Sequence, residues 1–350
     1  MPRIPKAILT LAIISQIPAA ISFAQAEKSI YGADNRIELF NASPETFKLA
    51  DSVVSLWDSA KVKYDLTAGV FSLKTENFAA KLNLCPEERF REQPMGAFCS
   101  GSLVGEDLIM TAGHCITDQA KCDGTKIVFG FARKKSGAGA ATRIRQEDVY
   151  TCERIITRFL GDEPNLNLMF ALPANIPAPS RAPLGPDYAL IQLDRKVSGH
   201  KPLAINRGQN LKKGDKMMVI GHPAGLPLKI AAGASVRDAS QQGYFVTDLD
   251  TFGGNSGSPV FNTSTRLIEG ILVRGDEDFL PTPAGCTIMA TYSQNGGRGE
   301  DVTKVSALES FIPKPAKANK STEPGFRDVN VIVIPAAQED LGRRFNANFQ

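Results

Sequence analysis

Gly253-Gly254-Asn255-Ser256-Gly257-Ser258-Pro259 is a turn built around one serine. Glycines on both sides of Ser256 let the backbone bend sharply enough to present its Oγ and to aim the N–H groups of Gly254 and Ser256 at one point, where a tetrahedral oxyanion would form. Ser258 is the weaker nucleophile candidate, because Pro259 follows it and opens the next apolar segment. The bland alternative is a Gly/Ser turn between two strands. What decides between the two readings is whether the chain also supplies a base and an orienting acid.

The chain has 350 residues and three histidines, His114, His200 and His222, so the choice of base is narrow. His114 lies in Thr111-Ala112-Gly113-His114-Cys115, directly after the apolar run Leu108-Ile109-Met110, at a strand end where the chain can turn and expose an imidazole. If Cys115 is bonded to Cys99, the short loop so closed would staple that turn by about 3 kcal/mol of loop entropy. His200 sits in a polar loop and reads as simply exposed. His222 lies at a strand end and reads as a turn residue able to titrate near neutral pH and influence the second half of the chain. Asp187 heads the alternating strand Asp187-Tyr188-Ala189-Leu190-Ile191-Gln192-Leu193, from which a carboxylate can point inward at an imidazole. Histidine, aspartate and serine thus occur in that chain order.

Around these motifs run many short apolar segments separated by Gly, Pro, Asn and Asp, among them Ile127 to Phe131, Met217 to Ile220, Gly243 to Val246 and Leu267 to Val273. Few windows hold a 3.6-residue period, so the chain reads as antiparallel and mostly β. Pro44-Glu45-Thr46 opens a stretch to Ala50 that reads as one or two helical turns. The span 133–186, with a Gly/Ala patch and then prolines from Pro173 to Pro186, reads as a surface insertion. After Ile312, a Lys/Pro/Ala-rich linker leads into a C-terminal extension, 313–350.

Taken together, the Cys99…Thr111-Ala112-Gly113-His114-Cys115, Asp187-Tyr188-Ala189-Leu190 and Gly254-Asn255-Ser256-Gly257-Ser258-Pro259 motifs resemble those of the trypsin-like (chymotrypsin-fold) serine peptidases, in particular the bacterial exported branch that includes the glutamyl endopeptidases. The resemblance covers about Val53 to Ile312. It implies an all-β fold of two six-stranded antiparallel β-barrels, 44–198 and 199–312, with the active site in the cleft between them. It also implies His114 as general base, Asp187 as its orienting partner, Ser256 as nucleophile, Gly254 and Ser256 as oxyanion donors, and a Cys99–Cys115 disulfide. By the same resemblance Asp250 falls where the family keeps the acid on the floor of the specificity pocket, with Thr251 on its wall and Leu272, Val273 and Gly275 on the strand edge that receives substrate backbone; read from the residues alone, with Asp248 two positions earlier, Asp250 is equally a solvent-facing turn acid. A carboxylate on the pocket floor would select Arg or Lys at P1, whereas Leu272, where glutamyl endopeptidases keep a histidine, speaks against a glutamyl preference. Arg274 on the same edge has Asp276 or Glu277 as partners, or an acidic substrate residue. Asn255 replaces the aspartate that binds a freed N-terminus in the activated vertebrate enzymes. Ile30-Tyr31-Gly32-Ala33-Asp34-Asn35-Arg36 is similar to the mature start of the bacterial branch, pointing to a cut after Lys28 or Ser29.

Composition and compartment agree with this reading. Arg3 and Lys6 precede an apolar run from Ala7 to Phe23 and then Ala24-Gln25-Ala26, the pattern of an export signal, 1–26, followed by an N-terminal arm or short propeptide, 27–43. Its removal leaves 38 basic against 37 acidic residues, a net charge of +1 with no basic block, so nucleic acid is not an expected partner. No later stretch reaches about 18 uninterrupted apolar residues, which argues against a membrane span. The expected product is a secreted or periplasmic monomer acting on proteins or peptides. Export makes disulfides expected, and Cys85, Cys122, Cys152 and Cys286 pair in one of three ways that spacing does not select. No zinc ligand set is apparent and no cofactor is called for. The competing class is a non-catalytic binding or adhesion module on the same fold, which would normally have lost one of the three side chains.

Overall fold

The computed structural model describes residues 29–161, 185–208 and 210–314. The expected signal, most of the C-terminal extension and much of the proline-rich stretch lie outside the described residues. Six strands close the first barrel: β1 (Val53–Asp58), β2 (Cys99–Leu103), β3 (Leu108–Thr111), β4 (Thr125–Phe129), β5 (Val149–Leu160) and β6 (Asp187–Leu193), in the order β4-β5-β6-β3-β2-β1. Six more close the second: β7 (Lys216–Gly221), β8 (Lys229–Asp238), β9 (Tyr244–Thr247), β10 (Pro259–Asn262), β11 (Ile268–Arg274) and β12 (Glu300–Lys304), in the order β7-β10-β11-β12-β9-β8, with β7 pairing back on β8. Every pairing around both barrels is antiparallel. This all-β pair of barrels is the chymotrypsin-like architecture.

Alternation explains the inward faces. Leu56, Ile109, Ile127, Phe129 and Ile191 are buried in the first barrel, and Met217, Val219, Phe245, Val260, Leu272 and Val302 form the apolar centre of the second. The first cluster continues through Met218, Ile220, Phe261 and Ile271, so one apolar seam joins the barrels and fixes their cleft. Closing a sheet on itself removes most of its exposed edge.

Three strands escape the apolar pattern. β12, Glu300-Asp301-Val302-Thr303-Lys304, carries three ionisable residues yet is almost wholly buried. Its Asp301 accepts from Arg274 Nε at 3.1 Å and Arg298 Nη2 at 2.7 Å, an internal ion pair that no local pattern announces. β8 begins with Lys229, whose buried Nζ lies 3.2 Å from Glu38 and 2.9 Å from Gln93 Oε1. β5 lies inside the span expected to be a surface insertion, and that expectation is corrected here: its 12 residues are a barrel wall, with Tyr150 and Cys152 buried. The Gly/Ala and Pro-rich flanks hid it, because the strand's second half alternates weakly. Arg143–Arg145 is likewise paired, to Val70–Leu73.

The N-terminal segment is docked on the second barrel. Ile30–Tyr31 pairs with Thr291–Tyr292, and Arg36–Glu38 extends the sheet beyond β8. A helix at Pro44–Ala50 follows, with Pro44 in its first turn and Ser43 Oγ accepting from Thr46 N, the expected helical turns. Disulfides join Cys85–Cys286, Cys99–Cys115 and Cys122–Cys152. The first holds the 78–93 segment to the second barrel's loops; the last staples the helix at Gln119–Asp123 to β5.

His200 is not a free loop residue. Its ring stacks on Phe129 at 4.2 Å, with Nδ1 2.9 Å from Asp51 and Nε2 3.3 Å from Asp148, itself paired to Arg145. Burial lowers its pKa, but the bonds and charges of Asp148 and Asp51 outweigh that and push it up to about 9. A folded-state value above the unfolded one, about 6.5, means that the stabilisation is complete below that value and is lost as pH rises through 9. Thermal unfolding at pH 7 and pH 10 should therefore show wild type losing about 2 kcal/mol more than His200→Gln, the figure allowing for solvent screening at the half-exposed Asp51.

Candidate active site

The end of β3 turns through Gly113 and delivers His114 to the cleft, while β6 starts at Asp187 beside it. Asp187 is buried, and its two carboxylate oxygens divide their work. Oδ1 accepts the backbone N–H groups of Gly113 at 2.6 Å and His114 at 3.2 Å, and Oδ2 lies 2.6 Å from His114 Nδ1. The backbone of Asp187 is clamped in turn, its N–H donating to Thr303 Oγ1 and its carbonyl accepting from the same hydroxyl, both at 2.9 Å. β12 of the second barrel thus positions an acid of the first. The His114 side chain keeps 31% of its surface exposed, enough for a reacting group to approach it.

The Ser256 turn is anchored to the same strands. Ser256 O accepts from Ser100 N at 2.8 Å on β2, Gly257 N donates to Leu272 O at 2.8 Å, and Leu272 N donates to Ser258 O at 3.0 Å. Gly257 has φ +89°, and a Cβ there would collide with Ser100 O and Thr111 Oγ1. Only glycine fits so close an approach. Ser256 is thereby brought up against the strand that ends in His114. The Cys99–Cys115 disulfide backs this contact, with Cys115 Sγ 3.7 Å from Ser256 O. Gly254, at φ +86°, packs its Cα against the His222–Gly225 backbone, and among the described residues its N–H donates to no backbone oxygen. Asn255 is buried, and its Oδ1 accepts from Ser258 Oγ at 3.3 Å.

The structure distributes the expected pocket residues unevenly. Thr251 and Gly275 converge, but on Glu300: Thr251 Oγ1 donates to Glu300 Oε2 at 2.6 Å, and a Cβ on Gly275 would overlap the Glu300 carboxylate. Glu300 Oε1 also lies 3.3 Å from Ser29 N and from Tyr31 Oη. Asp250 is buried six residues before Ser256, yet its oxygens turn to the N-terminal segment, accepting from Tyr31 N at 2.8 Å and Asn35 N at 2.7 Å. Burial is the main cause that pushes its pKa up, to about 6, against those two bonds. Leu272 is wholly buried in the second core, and Val273 is buried beside it on β11, which pairs with β10 on one side and β12 on the other. Arg274 is directed to Asp301 and to Gly185 O, at 2.9 Å, rather than to Asp276 or Glu277.

Glu300 was not among the residues singled out in the sequence. No signal marks it, since a carboxylate in a short charged strand ordinarily faces solvent. His222 also departs from expectation. It is buried against Phe131, donates Nδ1–H to Leu226 O at 3.0 Å, and burial holds its pKa down at about 3, so it stays neutral instead of titrating near pH 7. Among the described residues Cys99, His114 and Cys115 form a compact ligand-like cluster, but both cysteines are committed to one disulfide and neither offers a thiolate.

Comparison with known proteins adds to this geometry. The chain is 26% identical over 181 residues to the secreted RxLR effector protein 73 of Plasmopara viticola, a match covering 49% of this chain and 40% of that protein. It therefore spans less than half of that relative's length. Among solved structures, the VesB protease of Vibrio cholerae matches with a TM-score of 0.46 and 15% identity over 79% of this chain and 66% of that one. Neither match distinguishes the glutamyl-endopeptidase branch, which rests on the motif resemblance alone. Residues 99–268 match the family model described as the trypsin-like peptidase domain. The matched span runs from the disulfide-bearing strand β2 to the start of β11 and includes His114, Asp187 and Ser256.

Proposed function

We propose that the protein is an exported serine endopeptidase that cleaves peptide bonds through His114, Asp187 and Ser256 and an acyl-enzyme. The observation that carries this reading is the 2.6 Å contact of His114 Nδ1 with the buried Asp187 carboxylate, at a turn held against the Ser256 loop. The contact keeps the Nδ1 proton in place, so Nε2 is the nitrogen left to take the Ser256 proton as Oγ attacks the scissile carbonyl. The imidazolium then formed is stabilised by Asp187 and returns the proton to the leaving amine. Gly254 and Ser256 N–H groups receive the oxyanion. Water repeats the sequence on the acyl-enzyme. Three disulfides support an oxidising compartment and hence export.

Arg or Lys is the proposed P1 residue. Two buried carboxylates support this reading: Glu300 bonds Thr251, the expected pocket wall, and lies against Gly275, and Asp250 lies beneath the N-terminal segment. The discriminating experiment is mass-spectrometric profiling of a mixed peptide library with wild type, Ser256→Ala, Asp250→Asn and Glu300→Gln. Cuts after Arg and Lys that vanish in Ser256→Ala and lose their basic preference in Glu300→Gln are expected. Cuts after other residues would preserve the mechanism and overturn the P1 assignment. An unaltered pattern in Ser256→Ala would overturn the nucleophile.

A further inference from the structure

Ser100 uses every polar group it has on three segments that meet at the site: the Gly254–Ser256 turn, His222 and Thr111. Its N–H donates to Ser256 O at 2.8 Å, its Oγ–H to Gly254 O at 2.8 Å, its Oγ accepts from His222 N at 2.9 Å, and its carbonyl accepts from Thr111 Oγ1 at 2.7 Å. The residue is fully buried in the centre of β2. Because the His222 N–H occupies the hydroxyl's acceptor side, the hydroxyl proton is committed to Gly254 O. The direction of that bond is therefore set by the fold and not by chance rotation.

These bonds fall where the proposed chemistry is most sensitive. The oxyanion donors lie on the peptides preceding Gly254 and Ser256, and Ser100 holds the carbonyls on the far side of those same two residues. Gly254 is at φ +86° in a run of two glycines, backbone that has little conformational preference of its own and takes its orientation from external partners. The carbonyl of Ser100, through Thr111, also ties the bracket to the last residue of β3, three residues before His114.

We propose that Ser100 is a positioning residue that aligns the Gly254 and Ser256 N–H groups for the developing oxyanion, so that its hydroxyl acts on the transition state and not on substrate binding. This rests on the serine-peptidase reading given above. Displacing donors by an ångström or less weakens transition-state contacts by up to about 100-fold while leaving ground-state contacts in place.

The test uses the full chain with Ser100→Ala and Ser100→Thr. Concentrations are fixed by active-site titration and folding is checked by thermal unfolding, so that loss of folded protein is not counted as loss of rate. Two readouts are taken: kcat and KM on the best library peptide, and the affinity of a peptide aldehyde of the same sequence, which forms a tetrahedral adduct on Ser256. For Ser100→Ala we expect kcat to fall about 10- to 100-fold, KM to change less than about twofold, and aldehyde affinity to fall in step with kcat. Ser100→Thr, which keeps the hydroxyl, should restore most of both. If folded, titrated Ser100→Ala stays within about twofold of wild type in kcat and aldehyde affinity, the positioning role is overturned and the role of Ser256 stands. A wild-type chain that neither cuts peptides nor binds the aldehyde overturns the peptidase reading itself, and the role of Ser100 with it.

Discussion

Ser256→Ala is expected to lower kcat/KM on any peptide the wild type cleaves by a factor on the order of 10⁵, with KM little changed. The substitution removes one oxygen and leaves the backbone as it was. The Ser256 carbonyl keeps its bond to Ser100 N and the flanking glycines keep their conformation. The unfolding midpoint should therefore move by no more than about 2 °C. What remains is the contribution of the Gly254 and Ser256 N–H groups and of substrate positioning, both of which survive loss of the nucleophile. Steady-state kinetics and labelling with a serine-directed phosphonate check this together. Label incorporated by wild type and absent from the variant places the reactive hydroxyl on Ser256; label retained by the variant places it elsewhere.

Asp187→Asn is expected to cost about 10⁴ in kcat, through an argument specific to this site. The two oxygens of Asp187 are not equivalent. Oδ1 receives two backbone N–H groups, from Gly113 and His114, so an amide at this position must turn its carbonyl oxygen toward them and its NH₂ toward His114 Nδ1. Nδ1 must then accept a hydrogen bond, the imidazole proton is forced to Nε2, and Nε2 can no longer take the proton of Ser256. The loss should appear in kcat, with folding preserved because both backbone donors remain satisfied. A variant with near-normal kcat would show that Asp187 does not set the tautomer.

Much of this chemistry was legible along the chain because each motif is local. Gly-Asn-Ser-Gly, Ala-Gly-His-Cys and Asp-Tyr-Ala-Leu each combine a reactive side chain with the turn or strand residues needed to present it, and their order needs no tertiary information. The helix at Pro44–Ala50 was equally legible, from Pro44 at its start. β5 was hidden by its flanks and weak alternation, whereas β8 and β12 bury charged groups with partners far away in sequence. Asp301 pairs with Arg274 and Lys229 with Glu38, and the loop residue His200 is likewise paired, with Asp51 and Asp148. A rule that reads charge as solvent exposure fails wherever such pairs close.

The division is sharpest at the specificity pocket. Counting back six residues from Ser256 reaches Asp250, a matter of sequence alone, but the direction of its carboxylate depends on the Ile30–Asn35 segment, more than 200 residues away, whose N–H groups it accepts. Glu300 enters by the opposite route, carried in by β12 pairing with β11 and accommodated because Gly275 has no side chain. The sequence by itself determined the candidate reactive groups, their order and a mostly antiparallel β chain, since these follow from local turn chemistry and apolar alternation, while the two-barrel form was what the resemblance of the motifs implied. Only the tertiary structure decided which carboxylate faces which donor, because hydrogen bonds and ion pairs between distant strands depend on register and closure, and local sequence does not encode those.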